Sequence, residues 1–134
     1  YNKKAFESDP SAYRNAEAQF DYVNYNPNLR GVFTAAHVVN DLSLIARASY
    51  WGESENANSG TSRRQVQDAT WFVDLEAQYQ INDTLRIAAG GRNVFDEYPN
   101  KGNIGDTCCG RIYESGSVLD WNGSYWFARL TADF

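Results

Sequence analysis

The sequence predicts an all-β fold: an antiparallel up-and-down meander of about six strands, part of a transmembrane β-barrel. Three observations carry this reading. Apolar and polar residues alternate with a period of two, the period of a strand, in stretches separated by turn-forming residues. The connections between those stretches alternate between tight and long. Aromatic residues, 15% of the chain, sit at the ends of the apolar faces rather than at their middles.

Residues 1–14 show no clear period and read as a loop or as the end of a region lying upstream. The chain starts at Tyr1 without an initiator Met or a signal-type segment, as a mature chain or a fragment does. The first stretch, 15–24, sets Ala16, Ala18, Phe20 and Tyr22 against Glu17, Gln19, Asp21 and Val23, as a strand would. Pro27, between two asparagines, signals a turn. In 30–39 both phases are nearly apolar; taking Val32, Thr34, Ala36 and Val38 as the apolar row puts His37 on the polar face. Asn40 and Asp41 make a tight hairpin turn, since both tolerate positive φ. Residues 42–52 set Leu42, Leu44, Ala46, Ala48 and Tyr50 against Ser43, Ile45, Arg47, Ser49 and Trp51.

The polar run 53–65 reads as a long loop. The clearest strand is 70–80, with Trp71, Val73, Leu75, Ala77 and Tyr79 opposite Phe72, Asp74, Glu76, Gln78 and Gln80. A short turn at 81–84 leads to a strand at 85–95, and the longest loop is 96–120. The closing stretch, 124–134, places Trp126, Ala128, Leu130, Ala132 and Phe134 on one face.

Strands of this length with one wholly apolar face suit a tilted crossing of a bilayer, and short turns opposite long loops are the habit of outer-membrane barrels. Charges within the strands, among them Glu17, Asp21, Arg47, Asp74, Glu76, Arg86, Arg92, Arg129 and Asp133, keep to the polar phase. A charge on the lipid face at mid-membrane costs about 2–4 kcal/mol, so strict sorting is expected. Arg30 breaks the phase, at a strand end where a headgroup can meet it. With the long loops outside, Tyr22, Tyr50, Trp71 and Trp126 form an outer aromatic girdle; Tyr79 and Phe134 form the inner one. The rival reading is a secreted soluble β-sandwich that binds carbohydrate; its core would bury large aromatics mid-strand. Six strands are too few to close a membrane barrel, so further strands must come from elsewhere. No apolar run approaches the roughly 18 residues of a membrane helix. The net charge of −5 and the scattered basic residues argue against nucleic acid as a partner.

Cys108 and Cys109 are adjacent in the longest loop. They can form a vicinal disulfide, bridge to other parts of a longer chain, or stay free or metal-bound; they match no zinc spacing. His37, the single histidine, has no evident partner for metal or catalysis. Asp74 and Glu76 share a face and could serve as a carboxylate pair; they are expected rather to meet arginines such as Arg86 or Arg92 on the neighbouring strand, or a plug inside the barrel. No nucleophile set is visible, so neither an enzyme nor a cofactor is expected; a small barrel enzyme would require a nucleophile beside His37. Trp51, Arg111, Tyr113 and Trp121 are weak ligand candidates near loops, where rings could stack on a sugar or aryl group and Arg could pair with an anion. Loop packing or headgroup contact is the competing account of the same residues.

Gly90-Gly91-Arg92-Asn93-Val94-Phe95-Asp96-Glu97-Tyr98-Pro99 resembles the N-[LV]-F-D-x-x-Y stretch near the end of TonB-dependent outer-membrane receptors. Residues 125–134, ending in Phe134, resemble their closing strand. The resemblance covers roughly residues 15–134 and implies the C-terminal strands of a barrel of about 22 strands. It implies residence in the Gram-negative outer membrane, in contact with its lipid, the rest of the barrel and a plug domain. Uptake of a scarce nutrient, such as a ferric siderophore, a cobalamin or a glycan, would be powered through TonB, which engages a region absent here. Phe134 would be the signal read by the barrel-assembly machinery.

Overall fold

The structure, a computed structural model, describes residues 15–57, 64–102, 110–114 and 117–133. In chain order its elements are α1 (Ala16–Asn24), β1 (Arg30–Val39), β2 (Leu42–Trp51), β3 (Ser54–Ala57), β4 (Arg64–Gln67), β5 (Thr70–Gln80), β6 (Leu85–Arg92) and β7 (Tyr125–Ala132). They fall into two units.

One unit holds residues 31–50, 71–97 and 122–133. It is a five-stranded sheet in the order β1-β2-β5-β6-β7, the meander expected. The β1–β2 turn is tight, with Asn40 at φ 50. At the β5–β6 turn the Asn82 Oδ1 accepts the N–H groups of Thr84 and Leu85, an Asx-type turn. The Gln80 N–H donates to the Asp41 carbonyl, and the Tyr50 and Trp71 rings lie 4.9 Å apart. The end of β5 therefore flanks the start of β2, and the two strands run antiparallel.

The registers of β5, β6 and β7 fix the two faces. Leu75, Gly91 and Trp126 stand opposite one another, as do Ala77, Ala89 and Ala128, then Tyr79, Ile87 and Leu130. Directly paired residues share a face, so this face is uncharged across three strands. It is also exposed: Leu75 by 45%, Trp126 by 65% and Leu130 by 66%. A sandwich would bury this row. The opposite face carries Glu76, Gly90 and Phe127, then Gln78, Ala88 and Arg129, then Gln80, Arg86 and Thr131.

β1 corrects the expected phase. The Phe33 ring lies 6.0 Å from that of Trp71, which is possible only if both project from the same side of the sheet. With period two, Gly31, Ala35 and His37 join Phe33 on the apolar face, and Val32, Thr34, Ala36 and Val38 join the polar one. This removes the Arg30 exception, because Arg30 now belongs to the polar face. Its guanidinium lies 3.4 Å above the Trp51 ring.

The other unit holds residues 15–30, 51–57, 64–70, 98–102, 110–114 and 117–121. Residues 15–24, expected as a strand, are mostly the helix α1. Asn15 is its N-cap, accepting from the Ala18 N–H at 2.8 Å. Glu17 in the first turn suits the helix dipole, and Ala and Gln favour the helical state over the extended one. Tyr22 is therefore helical and leaves the outer girdle. The run 53–65, expected as loop, contains β3 and the start of β4, which pair antiparallel from Ser54↔Gln67 to Ala57↔Arg64.

The buried residues described in this unit include polar ones as well as Ala57 and Leu119. Gln65 and Gln67 are each 5% exposed. The Gln65 Nε2 donates to the Lys101 carbonyl, and the Gln67 Oε1 accepts from the Asn100 N–H at 2.8 Å. Asp21 of α1 accepts the Ala57 N–H at 2.7 Å, and Asn56 donates to Glu114. Such amide-to-backbone bonds satisfy buried polar groups and tie loop backbone to the strands. Burial, then the negative charges of Glu114 and Asp21, raises the Tyr25 phenol above its ordinary 10.0. The unfolded tyrosine ionises first, so this contribution is complete below about pH 10 and is lost as pH climbs through the folded value. Alkaline titration of stability should show this fall, and Tyr25→Phe should flatten it.

Candidate functional site

The polar face of the sheet gathers the chemistry. Arg47 (β2), Asp74 and Glu76 (β5), Arg92 (β6) and Arg129 (β7) border one cleft of about 590 Å³. Tyr125 and Phe127 of β7 add two rings, stacked with centroids 6.3 Å apart. The Arg129 guanidinium donates to the Glu76 Oε1 at 2.8 Å. That pair spans from β7 to β5 across the whole of β6. It can do so because β6 presents only Ala88 and Gly90 between the two side chains, and Ala88 ends up 4% exposed. The expected pairing of Asp74 and Glu76 with Arg86 or Arg92 does not occur. The Arg86 Nε donates to Gln80, and Asp74 accepts the Asn93 N–H at 2.9 Å.

That last bond opens the second feature, the turn at 93–97, which ends β6 short of the expected 85–95 strand. Asn93 has φ 48 and is 8% exposed. Its Nδ2 donates to the Glu97 carbonyl at 2.8 Å while its Oδ1 accepts the Glu97 N–H at 3.0 Å. Only Asn, with a donor and an acceptor on a short stem and a tolerance for positive φ, does both. Asp96, at φ 59, accepts the Ser124 N–H at 2.8 Å and so ties the chain's return to β7. Asn93→Ala should cost about 2–3 kcal/mol, from two lost hydrogen bonds at a buried site with positive φ. Urea unfolding in detergent should show it; Asn93→Asp, which keeps the acceptor, should cost less.

The weak ligand candidates belong to the other unit. Trp51 lies under Arg30. Tyr113 stacks on Tyr98 with centroids 5.6 Å apart and planes 7° from parallel. Arg111 and Trp121 are exposed. Cys108, Cys109 and Phe134 lie outside the described residues. Among the described residues no group of three or more His, Cys, Asp or Glu could hold a metal. Sequence reasoning placed Arg47, Arg92 and Arg129 on the right face, but it gave only Arg92 a role, as a partner for Asp74 or Glu76.

A sheet with one uncharged exposed face, one charged face, and tight turns alternating with long connections has the architecture of an outer-membrane β-barrel wall. Comparison with solved structures narrows this. FpvAI, in its complex with pyocin S2, superposes with a TM-score of 0.61 at 27% identity, covering 83% of this chain and 14% of that one. The ferric enterobactin receptor PfeA of Pseudomonas aeruginosa, in a mutant form, gives a TM-score of 0.57 at 20% identity, covering 81% of this chain and 16% of that one. In fold, the chain matches a portion of the barrel of TonB-dependent receptors. No sequence-family model matches it, and no curated protein sequence does.

Proposed function

We propose that residues 15–134 are the C-terminal strands and loops of a TonB-dependent receptor in the Gram-negative outer membrane, with residues 1–14 leading in from upstream. The receptor imports a scarce nutrient; a ferric siderophore is favoured over a cobalamin or a glycan because PfeA is a ferric enterobactin receptor. The carrying observation is the exposed uncharged row of Leu75, Tyr79, Ile87, Trp126 and Leu130 opposite the charged cleft. Such a row needs hydrocarbon against it. Its partners are outer-membrane lipid, the remaining barrel strands, a plug, TonB through a region outside this chain, and the assembly machinery through Phe134. Fractionation of the receptor containing this chain tests the reading. It should sediment with outer membranes and require detergent; recovery in detergent-free buffer would favour the soluble carbohydrate-binding alternative and sink ours.

A further inference from the structure

We propose that Asn122 is a site of spontaneous modification, at which the Gly123 nitrogen displaces the Asn122 side-chain amide and leaves aspartate or isoaspartate just ahead of the last strand. The sequence holds a single Asn-Gly step, Asn122-Gly123. Glycine has no Cβ, so nothing on residue 123 shields its own nitrogen. Gly123 stands at φ 72 in the segment that leads into β7, and Asn122 is exposed. The Gly123 N–H makes no hydrogen bond among the described residues. After three other asparagines the nitrogen is engaged. The Tyr25 N–H, after Asn24, donates to the Asp21 carbonyl at 2.9 Å, and the Ala57 N–H, after Asn56, to the Asp21 carboxylate at 2.7 Å. The Val94 N–H, after Asn93, donates to the Val73 carbonyl at 2.9 Å. A nitrogen held in such a bond must first be released by local opening, and the one at Gly123 need not be.

Water is the only other reagent. The Gly123 nitrogen gives up its proton and bonds to the Asn122 Cγ; the Cγ–Nδ2 bond breaks, and the side-chain nitrogen leaves with that proton as ammonia. Water then opens the cyclic imide at one of its two carbonyls. Opening at Cγ restores the ordinary backbone with an aspartate side chain. Opening at the α-carbonyl routes the backbone through Cβ and Cγ and lengthens it by one methylene. The next residues make this matter. The Ser124 N–H donates to Asp96 at 2.8 Å, and Tyr125 begins the register with β6 opposite Arg92. An extra methylene this close moves the Ser124 N–H off Asp96, whereas aspartate changes only the charge. Isoaspartate therefore loosens the tie between the 93–97 turn and β7.

The test ages the complete receptor, purified in detergent, in warm, mildly alkaline buffer made with heavy-oxygen water. Its peptides are compared by mass spectrometry with those of a sample aged unfolded in urea. Asn122 should convert in the folded receptor nearly as fast as in the unfolded chain, while Asn24, Asn56 and Asn93 should each fall about tenfold or more below their own unfolded rates. Asn122→Gln, whose imide ring is larger and slower to close, should remove the label at 122 and leave the other sites unchanged. Hydrogen exchange at the Ser124 N–H should quicken in the aged receptor but not in Asn122→Asp, which carries the charge without the longer backbone. Slowing of Asn122 as great as that of the other three asparagines would overturn the proposal. So would isoaspartate-bearing receptor with unchanged exchange at Ser124. Neither result touches the receptor reading, since a soluble protein with this segment would convert in the same way.

Discussion

Leu75→Arg should prevent stable insertion, at a cost of about 2–4 kcal/mol, while Gln78→Arg, three residues along the same strand, should be nearly silent. Leu75 projects from the uncharged face, in register with Gly91 and Trp126. Gln78 projects from the other, where Arg129 already sits two strands away. In a soluble protein both positions are exposed enough to accept arginine, and the two variants would behave alike. Reconstitution of each variant receptor into lipid vesicles, followed by urea titration, measures the difference. Equal midpoints would remove hydrocarbon as the solvent for this row.

Gly90→Val should be the most damaging substitution on the polar face. A Cβ at Gly90 would stand 2.6 Å from the Leu75 carbonyl oxygen and 2.8 Å from the Phe127 ring. The ring could swing away, but the carbonyl belongs to the ladder between β5 and β6 and cannot move without breaking pairing. Overpacking of this kind typically costs about 1–3 kcal/mol, and a β-branched side chain against backbone belongs at the upper end. The receptor should be recovered mostly unfolded, and Gly90→Ala should fall between it and the unmodified protein. An unchanged unfolding midpoint for Gly90→Val would show that the strands are not in this register.

What was legible depended on contrast between the two phases of each stretch. Residues 70–80 alternate bulky apolar groups with charges and amides, so their faces were readable directly. Residues 30–39 are apolar in both phases, and the single histidine was a poor arbiter; the ring contact of Phe33 with Trp71 decided for the other phase. In 15–24 a period of two coincided with a first turn of good helix formers, Ala16 to Gln19. The informative signals there were the capping Asn15 and the acidic Glu17 that follows it. The pair β3 and β4 has no apolar alternation, because its buried side chains are Ser54 and Ala57 on β3 and, on β4, two glutamines bonded to loop backbone. In the cleft, the carboxylates and arginines were visible, but their pairing was not. Neighbouring strands were expected to supply partners, and the gap left by Ala88 and Gly90 lets Glu76 reach past its neighbour to Arg129. The Asn93–Tyr98 stretch stood out by resemblance, while the clamp on Glu97 and the tie to Ser124 needed coordinates.

Trp126 and Phe127 are consecutive, so they project from opposite sides of β7, and each leans over one of two consecutive glycines. The last strand thus straddles its neighbour like a clothes peg. Slipping β7 by one position would swing the indole inward and press both rings onto side chains at once. The alignment of the two strands is therefore dictated by a four-residue lock rather than by the ladder as a whole. Designers grafting this wall into another barrel should move those four residues together.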